Sequence, residues 1–171
     1  KYAGITVMTG LGNGAFQPAL SILPDYTFSA LSVDIMNDNG IADILATSWI
    51  SNQLLVFSGF GKLKFSDPFV IQCSGEPALF APVFLDGDII RDLVLVLPEE
   101  GACQTYLGDG LGGFHLSQTF SAGHNALGLE IADVNGDGKP DIGILDHESL
   151  SVGLNNGDGT ITDLDTNLMW T

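Results

Sequence analysis

A repeat of 49 residues constrains the fold of this chain more than any other feature. Three segments each place an aspartate before a short apolar strand: ADILAT at 42–47, RDLVLV at 91–96 and PDIGIL at 140–145. Their aspartates, Asp43, Asp92 and Asp141, lie 49 residues apart. Four glycine-rich segments recur at nearly the same interval, since they end at Phe16, Phe65, Phe114 and Ile161, which are 49, 49 and 47 residues apart. Two independent landmarks in step indicate one structural unit repeated along the chain.

Each period contains four short strands and no convincing helical period. In the last period the strands are ALGLEIAD, DIGIL, LSVGLN and TITDLD, and Gly, Asn or Asp turn residues bound each of them. Four strands in about 45–50 residues are typical of a β-propeller blade. The predicted fold class is therefore all-β, a β-propeller segment of four-stranded antiparallel blades with about three and a half repeats of ~49 residues.

The repeat predicts one partial propeller over residues 1–171. The predicted units are a half-blade and three blades, at 1–25, 26–76, 77–125 and 126–171. Three and a half blades do not close a ring, because propellers close with about 4–8. We expect the chain to be the C-terminal part of a longer propeller, whose remaining blades come from the parent protein or from a second chain.

The net charge and the hydropathy of the chain limit the classes of partner that we expect. Twenty-one acidic residues face five basic ones, for a net charge of −16, and 45% of the residues are hydrophobic. A field of this sign repels phosphate backbones and anionic lipids, so we expect no nucleic acid partner. No apolar run approaches the ~18 residues of a membrane span, so we expect no membrane insertion in this segment. Divalent cations are the natural counter-charge, although acidity also serves solubility.

The segment DVNGDGKPD, at 133–141, has the pattern of a metal loop. Asp133, Asn135, Asp137 and Asp141 stand at positions 1, 3, 5 and 9, so their side-chain oxygens converge in a tight loop. The carbonyl of Lys139, at position 7, adds another hard oxygen ligand. Ca²⁺ takes ~6–8 such oxygens, whereas Mg²⁺ demands a stricter octahedron. The sequence therefore predicts Ca²⁺ as the cofactor.

Two alternatives compete with this metal loop. An EF-hand needs a bidentate Glu at position 12 and a helix on each side, but position 12 is Ile144 and strands flank the loop. The other alternative is an Asx-rich turn that binds no ion. Packed carboxylates without a cation would repel one another, which favours the metal loop.

The segments IADVNGDGKPDIGIL and GLNNGDGTI resemble the FG-GAP/VCBS repeat, and are closer to its VCBS-type variant. That family includes integrin α-subunit propellers and propellers of secreted adhesins, lectins and enzyme appendages. The resemblance implies that the loop between the first two strands of a blade holds Ca²⁺. It supports Asp133, Asn135, Asp137, Asp141 and the Lys139 carbonyl as ligands. The integrin-type FG…GAP string is absent, so an integrin is not inferred.

The two earlier copies of the loop are weaker candidate metal sites. In IMNDNGIAD the candidates are Asn37, Asn39, the Ile41 carbonyl and Asp43, with Asp34 one residue out of register. In FLDGDIIRD they are Asp86, Asp88, the Ile90 carbonyl and Asp92. There Phe84 replaces the first aspartate and Ile89 replaces the second glycine. Both loops are expected to bind less well than the last copy.

No pattern of catalytic residues is apparent. GDGLGG at 108–113 fits a dinucleotide fingerprint, but an alternating strand follows it instead of a helix, so we interpret it as a hairpin. The three histidines lack zinc spacing, and no G-x-S-x-G elbow is present. We therefore predict that the chain is not an enzyme.

Blade geometry places the metal loops and the glycine-rich hairpins on one face and the remaining loops on the other. Five residues of those remaining loops can stack on or hydrogen-bond a ligand: Trp49, Asn52, His124, Asn125 and His147. Cys73 and Cys103 fall on the same side in adjacent repeats, and the sequence leaves open whether they form a disulfide.

These features together predict a secreted scaffold. We expect a calcium-stabilised β-propeller, extracellular or on the cell surface, that acts in binding or adhesion with a protein or glycan ligand. One alternative is a propeller that helps form the active site of a secreted hydrolase or lyase. Another is a structural component of an array or filament.

Overall fold

A computed structural model describes residues 4–18, 20–22 and 26–164, which form strands and turns and no helix. A two-stranded half-blade comes first, with β1 (Ile5–Val7) and β2 (Leu20–Ile22). The first blade consists of β3 (Ala30–Asp34), β4 (Asp43–Ser48), β5 (Gln53–Phe57) and β6 (Phe69–Gln72). The second consists of β7 (Leu79–Val83), β8 (Asp92–Leu97), β9 (Ala102–Gly108) and β10 (Phe114–Ser121). The third consists of β11 (Gly128–Ala132), β12 (Asp141–Leu145), β13 (Leu150–Asn155) and β14 (Ile161–Leu164).

The topology confirms the predicted fold class. Each blade is a four-stranded sheet in which neighbours in the chain pair antiparallel. Strand β7 contacts both β3 and β11, so the first strands of the three blades lie side by side. This is the radial arrangement of propeller blades.

Strand β8 shows how one strand joins two blades into a common core. Its side chains alternate between the two faces of the sheet, as strand geometry requires. Leu93, Leu95 and Leu97 pack into the cluster between the first and second blades. Val94 and Val96 pack into the cluster between the second and third blades. Each buried aliphatic side chain contributes about 1.5–3 kcal/mol, so this strand stabilises both junctions.

In the described part of the chain, a strand is more deeply buried when its blade has a neighbouring blade on each side. All six residues of β4 and all six of β8 are buried, because neighbouring strands of the sheet and neighbouring blades surround them. A third cluster, around Ile5, Ala46 and Phe57, joins the half-blade to the first blade. Strand β12 is less covered, and its Leu145 is exposed.

Hydrogen bonds define two faces of the segment. On the first, which we call the loop face, the β3–β4, β7–β8 and β11–β12 connections meet the β9–β10 and β13–β14 hairpins. There the Asp38 N–H donates to the Gly110 carbonyl at 3.3 Å, and the Gly159 N–H donates to the Leu85 carbonyl at 3.2 Å. On the second, the opposite face, the Asn125 N–H donates to the Pro98 carbonyl at 3.0 Å. The two faces are those that the sequence predicted.

The two cysteines are buried and are not joined by a disulfide. Cys73 lies in the cluster between the first and second blades, whereas Cys103 lies in the cluster between the second and third. Burial raises the pKa of the Cys73 thiol to about 11, so this thiol is a poor nucleophile. Among the described residues we find no helix long and apolar enough to cross a membrane.

Candidate functional site

The repeated aspartate of the third blade holds its loop from inside the protein. Asp141 has no exposed surface, and its two carboxylate oxygens accept hydrogen bonds from different segments. The Val134 N–H donates to Oδ2 at 3.0 Å, and the Asn155 N–H donates to Oδ1 at 2.9 Å. One side chain thus ties the β11–β12 loop to the end of β13. We call this arrangement the staple.

The second blade has the same staple. Asp92 is 1% exposed, and its carboxylate accepts the Leu85 N–H at 2.6 Å and the Gly108 N–H at 3.0 Å. Burial raises the pKa of Asp92 above its ordinary value, while the two backbone hydrogen bonds oppose that effect. The Leu85 donor lies 49 residues before Val134 and the Gly108 donor lies 47 residues before Asn155, so the staple recurs in each of these two blades.

The first blade completes the series. Asp43 has no exposed surface, and it accepts the Met36 N–H at 2.8 Å and the Gly59 N–H at 2.7 Å. The Asn37 side-chain amide adds a third hydrogen bond to Oδ2 at 3.2 Å. Buried hydrogen bonds to a charged carboxylate are stronger than neutral ones, at about 1.5–3 kcal/mol each. The repeated aspartates are therefore structural in all three blades, a role that the spacing alone did not reveal.

Asp133 organises the exposed part of the third-blade loop. Its Oδ1 accepts the Gly136 N–H at 2.7 Å and the Asp137 N–H at 3.1 Å, and its Oδ2 accepts the Gly138 N–H at 2.9 Å. Gly136 and Gly138 have φ values of 81° and 85°, a region that favours glycine. The loop turns tightly around this carboxylate because two glycines allow it.

Asn135 and Asp137 continue the alternation. Asn135 Oδ1 accepts the Asp137 N–H at 2.8 Å, and Asp137 Oδ1 accepts the Lys139 N–H at 2.9 Å. The Lys139 N–H bond is the main cause that lowers the pKa of Asp137 below its ordinary value. Lys139 Nζ lies 3.7 Å from Asp137 Oδ2 and donates to the Asn156 carbonyl at 2.9 Å. The lysine therefore links this loop to the β13–β14 hairpin.

The donor set of the third-blade loop fits a hard cation. Three consecutive alternate positions carry exposed side-chain oxygens, from Asp133, Asn135 and Asp137, the ligand type that Ca²⁺ prefers. Asp141 stands behind them, and each of its oxygens keeps a second lone pair beside its backbone hydrogen bond. Within the described ranges, no three His, Cys, Asp or Glu side chains are gathered closely enough to hold a metal by themselves. Metal binding therefore stays a prediction that includes the Asn135 amide and the Lys139 carbonyl.

The second-blade loop carries an aromatic ring and a guanidinium group where the third-blade loop begins with an aspartate. Phe84 occupies the first ligand position, and the Arg91 guanidinium lies over its ring at 4.1 Å from the centroid. Arg91 Nε also lies 3.6 Å from Asp34 Oδ2 of the first blade. Asp86 and Asp88 each accept a backbone N–H two residues further along, at 3.1 and 2.7 Å. A protein cation thus occupies the junction of this loop with the first blade.

In the first-blade loop, the side-chain amides of two asparagines form hydrogen bonds with backbone groups of the same blade. Asn37 Oδ1 accepts the Asn39 N–H at 3.0 Å, and Asn39 Oδ1 accepts the Ile41 N–H at 2.7 Å. The Asn39 amide donates to the Gly59 carbonyl at 3.0 Å. Asp34, which stands out of register in the sequence, faces Arg91 of the next blade. Its carboxylate is therefore directed to a protein cation.

Three predicted ligand residues come together on the opposite face. His124, Asn125 and His147 line a cavity of about 550 Å³ with Asp146 and Glu148. A smaller cavity of about 340 Å³ adjoins it and shares two of these residues. The cavity lies where the β10–β11 and β12–β13 loops meet, so a single blade cannot form it.

The two remaining predicted ligand residues lie elsewhere. Trp49 and Asn52 belong to the β4–β5 turn of the first blade and do not line the cavity. Trp49 is 52% exposed, and Asn52 has a φ of 52°, which its turn requires. The structure therefore divides the predicted set into a cavity group and a separate exposed turn.

Asp146 is a cavity residue that the sequence did not single out. Its Oδ1 accepts the Glu148 and Ser149 N–H groups at 2.7 and 2.6 Å, and its Oδ2 is 2.8 Å from the Ser149 hydroxyl. The Glu148 N–H is the main cause that lowers the pKa of Asp146. The signal for it is the short segment DHES, an Asp followed by turn residues. The His124 ring is oriented by a contact outside this turn, since its Nδ1 lies 3.1 Å from the Glu99 carbonyl oxygen.

Comparison with known proteins supports the repeat assignment. Residues 85–144 match the family model described as FG-GAP-like repeat. This match confirms the FG-GAP resemblance in the second and third blades, while the VCBS-type variant stays an expectation. No curated protein matches the chain.

A solved structure with a similar fold is a lectin from Agrocybe aegerita. It is 21% identical with a TM-score of 0.67, and the match covers 94% of this chain and 46% of that one. The lectin is described in terms of specific recognition of non-reducing terminal N-acetylglucosamine. At this identity the likeness shows the fold alone, and the chain spans about half of the lectin's length. The Photorhabdus luminescens Tc holotoxin pore also matches, at 13% identity and a TM-score of 0.37 over 97% of this chain and 11% of that one, which is too distant to carry an argument.

Proposed function

We propose that this chain, whose residues 85–144 form an FG-GAP-like repeat, is part of a calcium-stabilised extracellular propeller that binds a glycan or protein ligand. The cavity formed by His124, Asn125 and His147 is the single observation that carries the proposal. Its volume of about 550 Å³ falls in the range of small-ligand sites, which is about 300–1,000 Å³. Rigid blades hold the loops that form it, as recognition requires.

The chemistry of the cavity suits a glycan. Imidazole and amide groups both donate and accept hydrogen bonds, which matches the hydroxyl groups of a sugar. Imidazole rings also present an apolar body and a polar tip. The lectin with the same fold supports a glycan as the first ligand class to test. Protein adhesion is the second class.

Calcium would act on the loop face as a structural ion. Asp133, Asn135, Asp137, Asp141 and the Lys139 carbonyl would hold it. When bound, the ion supplies positive charge that offsets the loop carboxylates. A fixed loop stiffens the β11–β12 connection, and β12 runs from that loop to the cavity on the opposite face. Calcium sites of extracellular modules work at Kd values of about 10⁻⁴–10⁻³ M, so a site of this kind would be filled in a secreted setting.

Binding without catalysis is the function that the cavity supports. A histidine acting as general base is usually oriented by a carboxylate. Here both oxygens of Asp146 accept hydrogen bonds from the N–H and hydroxyl groups of its own turn, at 2.6–2.8 Å, and no bond from His147 to this carboxylate is seen in the described residues. This carboxylate therefore serves the turn and does not orient His147.

A glycan array with added Ca²⁺ tests the proposal. The matched pair of variants is His147→Ala, inside the cavity, and His115→Ala, an exposed histidine on β10 outside it. We expect the first to weaken glycan binding roughly tenfold, as loss of a central contact does, and the second to leave it unchanged. Equal binding by both variants would show that the cavity is not the site.

A further inference from the structure

A second cavity lies on the loop face, between the first and second blades. It has a volume of about 590 Å³ and three walls: the β3–β4 loop at 37–39, the β5–β6 hairpin at 58–69 and the β9–β10 hairpin at 109–113. We call it the inter-blade groove. It shares no residue with the cavity on the opposite face.

Exposed apolar side chains line the groove. Phe60 is 62% exposed, Phe69 is 39% exposed and Leu111 is 84% exposed. The Phe69 ring packs against Phe114 at 6.1 Å between centroids, which fixes its position. A patch of large apolar groups in a concave site marks a surface suited to an aliphatic or aromatic ligand.

The next junction along the chain has further contacts between its blades. At the next junction, Ser117 Oγ donates to the Gly159 carbonyl at 2.8 Å. Gln118 donates from Nε2 to the Ile161 carbonyl at 3.0 Å, and its Oε1 accepts the Ile161 N–H at 2.8 Å. These bonds tie the second blade directly to the third. The second junction is therefore held by side-chain hydrogen bonds from β10.

Several hydrogen-bond donors on the groove walls are already engaged within the protein. Asn37 donates its amide to Asp43, and Asn39 donates to the Gly59 carbonyl. The N–H groups of Leu111 and Gly113 both donate to Asp109 Oδ1, at 2.8 and 2.9 Å. The walls also present exposed acceptors to a ligand.

Carboxylates supply those acceptors from all three walls. Asp38, Asp67 and Asp109 are exposed, one on each wall, and no Lys or Arg is among the residues that line the groove. A ligand with several positive groups can contact more than one wall at once. A second copy of this chain is disfavoured as the occupant, because it carries the same charge of −16.

We infer that the inter-blade groove binds a linear polyamine. Its ammonium groups donate to the three carboxylates, and its methylene chain lies against Phe60 and Leu111, where the aromatic ring also attracts the cation. A polyamine carries donors and no acceptors, which matches walls that offer acceptors. A basic peptide also brings carbonyl acceptors, which the three carboxylates do not satisfy. The groove thus favours the polyamine over the peptide.

Calorimetric titration with a linear triamine such as spermidine tests this inference. An uncharged glycol of similar length and a lysine-containing peptide serve as comparison ligands. The groove variants are Asp67→Asn, Asp109→Asn and Phe60→Ala. Asp109→Asn keeps the Oδ1 acceptor used by Leu111 and Gly113 and removes only the charge.

The matched control is Asp158→Asn, in the β13–β14 hairpin of the third blade. Its Oδ1 accepts the Thr160 N–H at 3.0 Å, so the turn bond is kept there as well. We expect each groove variant to weaken triamine binding about threefold, in line with an exposed charge pair or cation–π contact, while the control leaves it unchanged. Melting temperatures confirm that each variant is folded.

Three outcomes would overturn the inference. Equal weakening by Asp158→Asn and the groove variants would reveal diffuse attraction to an acidic protein. Tighter groove-dependent binding of the peptide than of the triamine would show that the occupant is a peptide. Absence of triamine binding to the unaltered protein would remove the site.

Discussion

The loops of the second and third blades share one support and differ in the residue at their first position. In each loop a buried aspartate, Asp92 or Asp141, accepts one N–H from its own loop and one from the last residue of the blade's third strand. The third-blade loop then exposes alternating oxygens, whereas the second-blade loop places Phe84 beneath Arg91. The staple forms the loop, and the oxygen ligands are a separate property built upon it. A blade therefore keeps its staple whether or not its loop can hold an ion.

The largest effect is expected from removing the staple itself. Asp92→Ala and Asp141→Ala each leave two backbone N–H groups without their acceptor, so we expect each variant to lose about 2–5 kcal/mol of unfolding free energy. Urea denaturation measures this loss, with Asp88→Ala in the exposed part of the loop as the control. A loss below about 0.5 kcal/mol in either staple variant, typical of surface positions, would contradict the shared support.

Removal of calcium should affect the third-blade loop and not the second-blade loop. If the third-blade loop holds the ion, chelation removes about 2.7 kcal/mol at a hundredfold excess over Kd. We therefore expect a chelator to lower the melting temperature by about 5–10 °C. Asp137→Ala should abolish this response, whereas the corresponding second-blade change, Asp88→Ala, should retain it. The same melting curve with and without chelator would refute calcium binding.

The Arg91 side chain of the second blade is expected to contribute less to the unfolding free energy than bound calcium does. Arg91 joins the Phe84 ring to Asp34 of the first blade, at 4.1 and 3.6 Å. Arg91→Ala should lower the unfolding free energy by about 1 kcal/mol, the sum of an exposed cation–π contact and a partly exposed ion pair. Denaturation at low and high salt distinguishes the two contacts, because screening weakens the ion pair. An unchanged free energy would mean that Arg91 does not hold the junction.

The smallest effects concern pH, and the two loops should respond with opposite sign. Burial raises the pKa of Asp92 above 3.8, so protonation favours the folded state, and this contribution is lost as pH rises through the folded pKa. The Lys139 N–H lowers the pKa of Asp137 below 3.8, so its contribution is present above that value and is lost as pH falls through the folded pKa. Carboxyl carbon chemical shifts followed by NMR would measure both. Shifts of the same sign would contradict the proposed causes.

Local pattern was sufficient to predict the strands and the repeat. The predicted strands of the last period contain β11, β12 and β13 as the structure has them. This succeeds because alternating apolar residues and Gly, Asn or Asp turns specify strands over a few residues. The same local pattern identified the exposed oxygens of Asp133, Asn135 and Asp137, whose turns close within two to five residues.

Distant contacts limited the prediction of the sites. Asp141 was predicted as a metal ligand, and its staple to Asn155 spans 14 residues that sequence spacing did not connect. Arg91 received no role from its position in the sequence, since its partner Asp34 belongs to another blade. Trp49 and Asn52 were grouped with the cavity residues because loops on one face look alike in sequence.

By itself, the sequence determined the 49-residue unit, its four strands and the all-β class, because each of these depends on residues close together in the chain. It also determined the net charge of −16, which repels phosphate backbones. Only the packing of blades decided which loops meet. The cavity around His124 and His147 and the inter-blade groove each require side chains from two neighbouring blades. Their shape follows from hydrogen bonds across a junction, which no local pattern specifies.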